Sequence, residues 1–134
     1  MNPRKILIVD DEAHVIRILR LSLEREGYQV QSANDGAEAL TVMETFEPDV
    51  LISDIQMDGM NGRDLCRNAR ARFPDRRFMI MVMTSMTALE ERSWARDLAD
   101  TEFLEKPLSP RQLVARLGRY FADAGAATER AHAL

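Results

Sequence analysis

The sequence predicts an α/β fold, a parallel sheet wrapped by helices. Short apolar runs alternate with longer stretches of helical period along most of the chain, which is the pattern such a sheet leaves in a sequence. The runs over 6–9, 50–53 and 79–83 are apolar or nearly so without a break, as strands buried on both faces should be. Three runs also end in side chains that belong together: Asp10-Asp11, Asp54 and Lys106. In a parallel sheet those ends share one edge, where open α/β folds keep their ligand sites.

The first strand is predicted over 5–9. From Glu12 the pattern changes: Val15, Ile16, Leu19 and Leu23 recur at three- and four-residue steps, with Arg17, Arg20, Glu24 and Arg25 between them. Gly27 closes that helix. Residues 28–33 alternate and read as a shorter strand near the sheet edge. Asn34-Asp35-Gly36 makes a turn and begins a second helix, marked by Ala37, Leu40, Met43 and Phe46 and stopped by Pro48. A third strand over 49–53 leads into a loop that runs to Gly62, then a third helix over 63–72. Pro74 precedes the fourth strand, which ends at Thr84. A fourth helix is predicted over 88–98 and a short fifth strand over 102–105. Ser109-Pro110 supplies an N-cap followed by proline in the first helical position, opening a last helix with Leu113, Val114, Leu117 and Phe121 inward. From Asp123 the chain is Ala-rich and loses core periodicity, which reads as a frayed helix end or the start of a linker. The expectation is five strands and five helices in strict alternation, with no internal repeat.

Composition narrows the function. The 134 residues are enough for one domain with a substantial core. A net charge of −4 argues against non-specific nucleic-acid binding. No apolar run approaches the roughly 18 residues of a membrane span, and the N-terminus lacks the apolar stretch of a signal peptide. Cys66 is the single cysteine, so no internal disulfide can form and a reducing cytoplasm is expected; the residue reads as a small buried hydrophobe. His14 and His132 are isolated from any ligand cluster. The arginines at 63, 67, 70, 72, 76 and 77 have no interleaved aromatic platform and read as the solvent face of a helix and its exit loop.

Bringing Asp10, Asp11 and Asp54 together is costly at neutral pH because like charges repel. A hard divalent cation offsets that cost, and an oxygen-only donor set suits Mg²⁺. Lys106 adds a second positive charge able to hold an anionic group, and Thr84 adds a hydroxyl donor. Cation, ammonium and hydroxyl around one carboxylate make a phosphoryl-transfer site with Asp54 as acceptor.

With these residues the chain resembles a response-regulator receiver domain of two-component signalling. The motifs are Ile8-Val9-Asp10-Asp11-Glu12, Asp54 followed by Met57 and Gly62, Met83-Thr84-Ser85, and Phe103-Leu104-Glu105-Lys106-Pro107. The resemblance covers roughly residues 4–121, the expected receiver domain, and leaves 122–134 as tail or linker. It implies a flavodoxin-like, doubly wound five-stranded parallel sheet in the order 2-1-3-4-5. It implies that Asp54 accepts a phosphoryl group from a histidine kinase or histidine phosphotransfer protein. By the same resemblance Asp11, Asp54 and the backbone carbonyl of Gln56 would bind Mg²⁺ directly, and Asp10 would help through water. Lys106 and Thr84 would contact the phosphoryl oxygens, and Phe103 would be the aromatic switch residue. Gln56 and Met86 would flank the path of the hydrolytic water. Partners would read the face made by the helix over 88–98, the last strand and the last helix, with Trp94 on it. Those partners are a downstream protein, a fused output domain or a second copy in a phosphorylation-dependent homodimer; neither nucleic acid nor membrane is expected to bind this domain directly.

Three positions depart from the family pattern. Asp58 stands where proline is usual, Phe103 lacks the hydroxyl of the commoner tyrosine, and Leu98-Ala99-Asp100 lacks the glycine common before the last strand. Two other classes fit less well. An aspartate-based phosphatase usually carries a second Asp two residues after its nucleophile, where this chain has Gln56. A flavin-binding electron carrier needs a phosphate cradle after the first strand, where Asp10-Asp11-Glu12 would repel phosphate.

Overall fold

The computed structural model describes residues 3–57, 59–84, 100–106 and 108–133, with side chains described as far as residue 123. Five parallel strands lie in the order β2-β1-β3-β4-β5: β1 Lys5–Val9, β2 Gln29–Ala33, β3 Val50–Asp54, β4 Met79–Thr84 and β5 Thr101–Glu105. Four helices are present among the described residues: α1 Ala13–Arg25, α2 Gly36–Met43, α3 Gly62–Arg72 and α4 Pro110–Ala133. The helix predicted over 88–98, with Met86, Trp94 and Ser85, lies outside the described residues, as do Asp58 and Pro107.

Side-chain alternation across the strands divides the core into two layers. Leu7, Val9, Leu51, Ile80 and Val82 meet Leu40 and Met43 of α2 and Leu65, Cys66 and Ala69 of α3. Ile6, Ile8, Ile52, Met81 and Met83 face Ile16, Leu19 and Leu23 of α1 and Leu113 and Leu117 of α4. All of β3 and β4 is buried, which is why their sequences read as unbroken runs.

Local signals set most element ends. Gly27 follows α1 with φ +92°, a left-handed conformation that glycine adopts readily. Ser109 Oγ accepts from Gln112 N–H at 3.0 Å, and Gln112 Oε1 accepts from Ser109 N–H at 3.4 Å, forming a reciprocal cap at the start of α4. Two expectations, the extent of α2 and the solvent face of the arginines, need correction. Helix α2 stops at Met43, before Phe46, and its core face is Ala39, Leu40 and Met43 rather than Ala37; Phe46 reaches the same core from beyond the helix. The α4 backbone stays helical through Ala133, so the Ala-rich stretch lies within that helix. Arg70 and Arg76 leave the solvent face: Arg70 lies 4.3 Å over Phe78 and Arg76 lies 4.2 Å over Phe73. Arg70 also donates to the Asp100 carbonyl at 3.0 Å. Asp100, where the sequence lacks glycine, is the only non-glycine residue with positive φ among those described (+53°).

Candidate phosphoacceptor pocket

Order β2-β1-β3 means that the chain steps from β1 outward to β2 on one side, then crosses back past β1 to β3 on the other. The crevice at that reversal, past the carboxyl ends of β1 and β3, is where open α/β sheets bind ligands. Asp10 follows β1 and Asp54 ends β3, so both border the crevice. Pairing of Asp54 with Met83 and of Thr84 with Glu105 brings the ends of β4 and β5 to the same edge.

Asp54 is only 3% exposed. Its Oδ2 accepts from Lys106 Nζ at 2.9 Å and its Oδ1 from Gln56 N–H at 3.3 Å. The Lys106 backbone N–H donates to the Thr84 carbonyl at 2.8 Å, so the ammonium is delivered from a strand end tied to β4. Burial disfavours the Lys106 charge, but the hydrogen bond to Asp54 and the fields of Asp54, Asp10 and Glu12 outweigh it and raise its pKa. Thr84 is buried at the end of β4. Phe103 is half-buried and packs against the α2–α3 side of the core. Gln56 is exposed on the loop after Asp54.

Asp10 is fully buried. Its Oδ1 accepts from Glu12 N–H at 2.9 Å, whereas Oδ2 has no hydrogen-bond partner. Burial pushes its pKa up and the neighbouring Asp54 adds to the rise, against the opposing Glu12 hydrogen bond and Lys106. One carboxylate oxygen from each of Asp10, Asp11 and Glu12 falls within 4.8 Å of the others. An orphaned buried oxygen in an all-oxygen acidic cluster fits a hard divalent cation, Mg²⁺ included. Asp54 stands outside that group of three, its carboxylate turned to Lys106.

Two features of the site escaped sequence reasoning. Glu12 joins the acidic cluster, and the sequence signal was present in its adjacency to Asp10-Asp11. Ser53 is buried in β3 and donates from Oγ to the Asp54 carbonyl at 2.9 Å; an isolated serine inside an apolar run carries no such signal. Gly62, the first residue of α3, approaches the same carbonyl so closely that a Cβ there would lie 2.5 Å from it.

Comparison with known proteins supplies independent evidence. Residues 6–118 match the family model described as the response regulator receiver domain. The chain is 34% identical over 114 residues to the alkaline phosphatase synthesis transcriptional regulatory protein PhoP of Bacillus subtilis, covering 85% of this chain and 47% of that protein. It therefore spans about half the length of that curated relative. Among solved structures, the chemotaxis protein CheY4 of Vibrio cholerae superposes with a TM-score of 0.82 at 30% identity, over 88% of this chain and 98% of that one. A CheY-like response regulator receiver domain protein of Methanospirillum hungatei superposes with a TM-score of 0.84 at 25% identity, over 94% and 99% of the two chains.

Proposed function

The chain belongs to the response-regulator receiver domain family, and from that premise we propose that it is a phosphorylation-activated switch whose phosphoacceptor is Asp54. Receiver domains serve signalling, and the proposed chemistry is one phosphoryl transfer to the protein itself. The observation that carries this reading is the buried Asp54 carboxylate held 2.9 Å from the Lys106 ammonium beside an acidic cluster.

An Asp54 carboxylate oxygen attacks the phosphorus of a phosphohistidine on a kinase or phosphotransfer protein. An O–P bond forms, the N–P bond breaks, and its electron pair leaves with the donor imidazole. Lys106, already at the carboxylate, is placed to meet the negative charge of the incoming group. Thr84, at the neighbouring strand end, would donate its hydroxyl to a phosphoryl oxygen. Asp10, Asp11 and Asp54, with the Gln56 carbonyl, would hold Mg²⁺. When bound, that ion would neutralise charge on both the acceptor and the transferred group. Glu12 adds a further carboxylate at the mouth of the pocket. Movement of Thr84 towards the phosphoryl group would open space beside β4 for the Phe103 ring, a two-state element biased by one local charge event.

The same site suits a domain within a longer regulator, and the 47% coverage of a transcriptional regulatory relative favours that arrangement. The length of the natural gene decides it.

Acetyl phosphate with Mg²⁺ should place one acid-labile, hydroxylamine-sensitive phosphoryl group on the protein, read by intact mass. Asp54→Asn removes the anionic nucleophile at nearly constant shape and should abolish the labelling. Full labelling of Asp54→Asn would sink the assignment.

A further inference from the structure

The loop between β3 and α3 carries Gln56, whose backbone is assigned to the cation site. Its base is closed by the Gly62 N–H, which donates to the Ile55 carbonyl at 2.9 Å. Its far end is fixed by a side chain. Met60, half-buried against the α2–α3 side of the core, lies over Gly36, the first residue of α2. A Cβ built on Gly36 would fall 2.8 Å from Met60 Sδ and 2.9 Å from its Cβ, closer than real Cβ contacts come. Met60 thus occupies space that exists only because residue 36 has no side chain. On its other side, Asn68 Nδ2 lies 3.8 Å from Met60 Sδ while also donating to the Asp64 carbonyl at 2.8 Å.

The seat is itself firmly built. Asp35 Oδ1 accepts from the Glu38 N–H at 2.8 Å, and Glu38 Oε2 accepts from the Asn34 N–H at 3.1 Å, so the start of α2 is held from both sides. Asn61, the next residue after Met60, caps α3 by accepting from the Asp64 N–H at 2.8 Å. A flexible, polarizable side chain placed between two capped helix starts is suited to fixing an irregular loop.

We propose that Met60 is a positioning residue for the cation site: seated on Gly36, it holds the β3–α3 loop so that the backbone at Gln56 faces the acidic pocket. The inference rests on the reading of that pocket as a Mg²⁺-assisted phosphoacceptor. A carbonyl ligand is useful to a cation only where its loop is already fixed, because ordering the loop on binding would draw on the binding energy.

Mg²⁺ titration by calorimetry, on the wild type and on Met60→Ala, Gly36→Ala, the double variant and Met60→Leu, tests this. Met60→Ala should raise the Mg²⁺ Kd on the order of tenfold, the scale of supporting-residue effects at metal sites, with only a modest fall in the melting temperature of the Mg²⁺-free protein. Gly36→Ala should do the same, because its Cβ would meet the Met60 Cβ as well as Sδ and push the loop at Met60 off its seat. The double variant should be little worse than Gly36→Ala, because a Met60 side chain already pushed off its seat has no contact left there to lose. Met60→Leu, which refills most of the space, should bind within about twofold of wild type. A Kd unchanged in Met60→Ala and Gly36→Ala while the wild type binds overturns the inference. Fully additive effects in the double variant also overturn it. A wild type that binds no Mg²⁺ would instead overturn the phosphoacceptor reading. Should one single variant fail to fold, the other carries the same test.

Discussion

The two edges of the sheet treat polar groups in opposite ways. At the amino edge, Lys5 N–H donates to Asp49 Oδ2 at 2.8 Å, Asp49 N–H donates to the Lys5 carbonyl at 2.7 Å, and Arg4 lies 4.9 Å over the Phe121 ring. At the carboxyl edge, Asp10 is fully buried with one oxygen unpartnered, beside Asp11 and Glu12. The amino edge is built to be stable. The carboxyl edge concentrates negative charge, and among the described residues Lys106 donates a hydrogen bond to only one carboxylate of it, Asp54. Such a pocket gains from any cation or cation-bound anion that enters, so binding there is coupled to stability. The difference separates where the molecule stores stability from where it stores responsiveness.

The largest effect expected from breaking that contrast is on chemistry. Lys106→Met keeps the length of the side chain and removes its charge and its donors to Asp54. Phosphorylation by acetyl phosphate should slow by about a hundredfold, the usual cost of losing one charge-stabilising donor. The fold, followed by circular dichroism, should persist. Labelling at the wild-type rate would show that Lys106 pairs with Asp54 for structure alone.

A smaller effect, a gain in stability, is expected at Asp10. Its folded-state pKa is raised, chiefly by burial, so the native state binds its proton more tightly than the unfolded chain does. Stability of Mg²⁺-free protein should therefore fall as pH rises from the ordinary value of 3.8 through the raised one, with the full penalty present above the raised value. Asp10→Asn removes that carboxylate. Its melting temperature in EDTA at neutral pH should exceed that of wild type by a few degrees, and the excess should vanish as the pH falls. Its rise in melting temperature with added Mg²⁺ should shrink. A lower melting temperature for Asp10→Asn in EDTA would mean that the pocket is not electrostatically strained.

How far the sequence revealed this contrast follows from the same physics. Strands β1, β3 and β4 were legible because burial on both faces makes hydrophobicity continuous, and the residues that close them inherit a shared edge from parallel topology. Asp10, Asp54, Thr84 and Lys106 were therefore found together. Helix α2 was extended too far because Phe46 continues the apolar period; the core accepts a side chain at that spacing whether or not the backbone stays helical. Arg70 and Arg76 were assigned to solvent because sequence does not reveal that Phe78 and Phe73 offer aromatic faces on which guanidinium groups can be half-buried. The seat of Met60 on Gly36 joins residues from two loops and has no periodic signature.

The smallest effect should come from the amino edge, and its smallness is the point. Asp49→Ala removes the acceptor for the partly buried Lys5 N–H and leaves the sheet register otherwise intact. The loss of one such hydrogen bond costs about 1 kcal/mol, read as a lower urea midpoint at unchanged slope. The phosphorylation rate and the Mg²⁺ Kd should both stay within about twofold of wild type, because opposite ends of a strand do not share partners and distant effects add independently. The amino-edge contacts are local ones between β1, the start of β3 and β4, so their loss leaves the carboxylates, Lys106 and the β3–α3 loop in place. If Asp49→Ala instead weakened Mg²⁺ binding as strongly as it weakened the fold, the two edges would form one energetic unit, and the division between stability and responsiveness would fail.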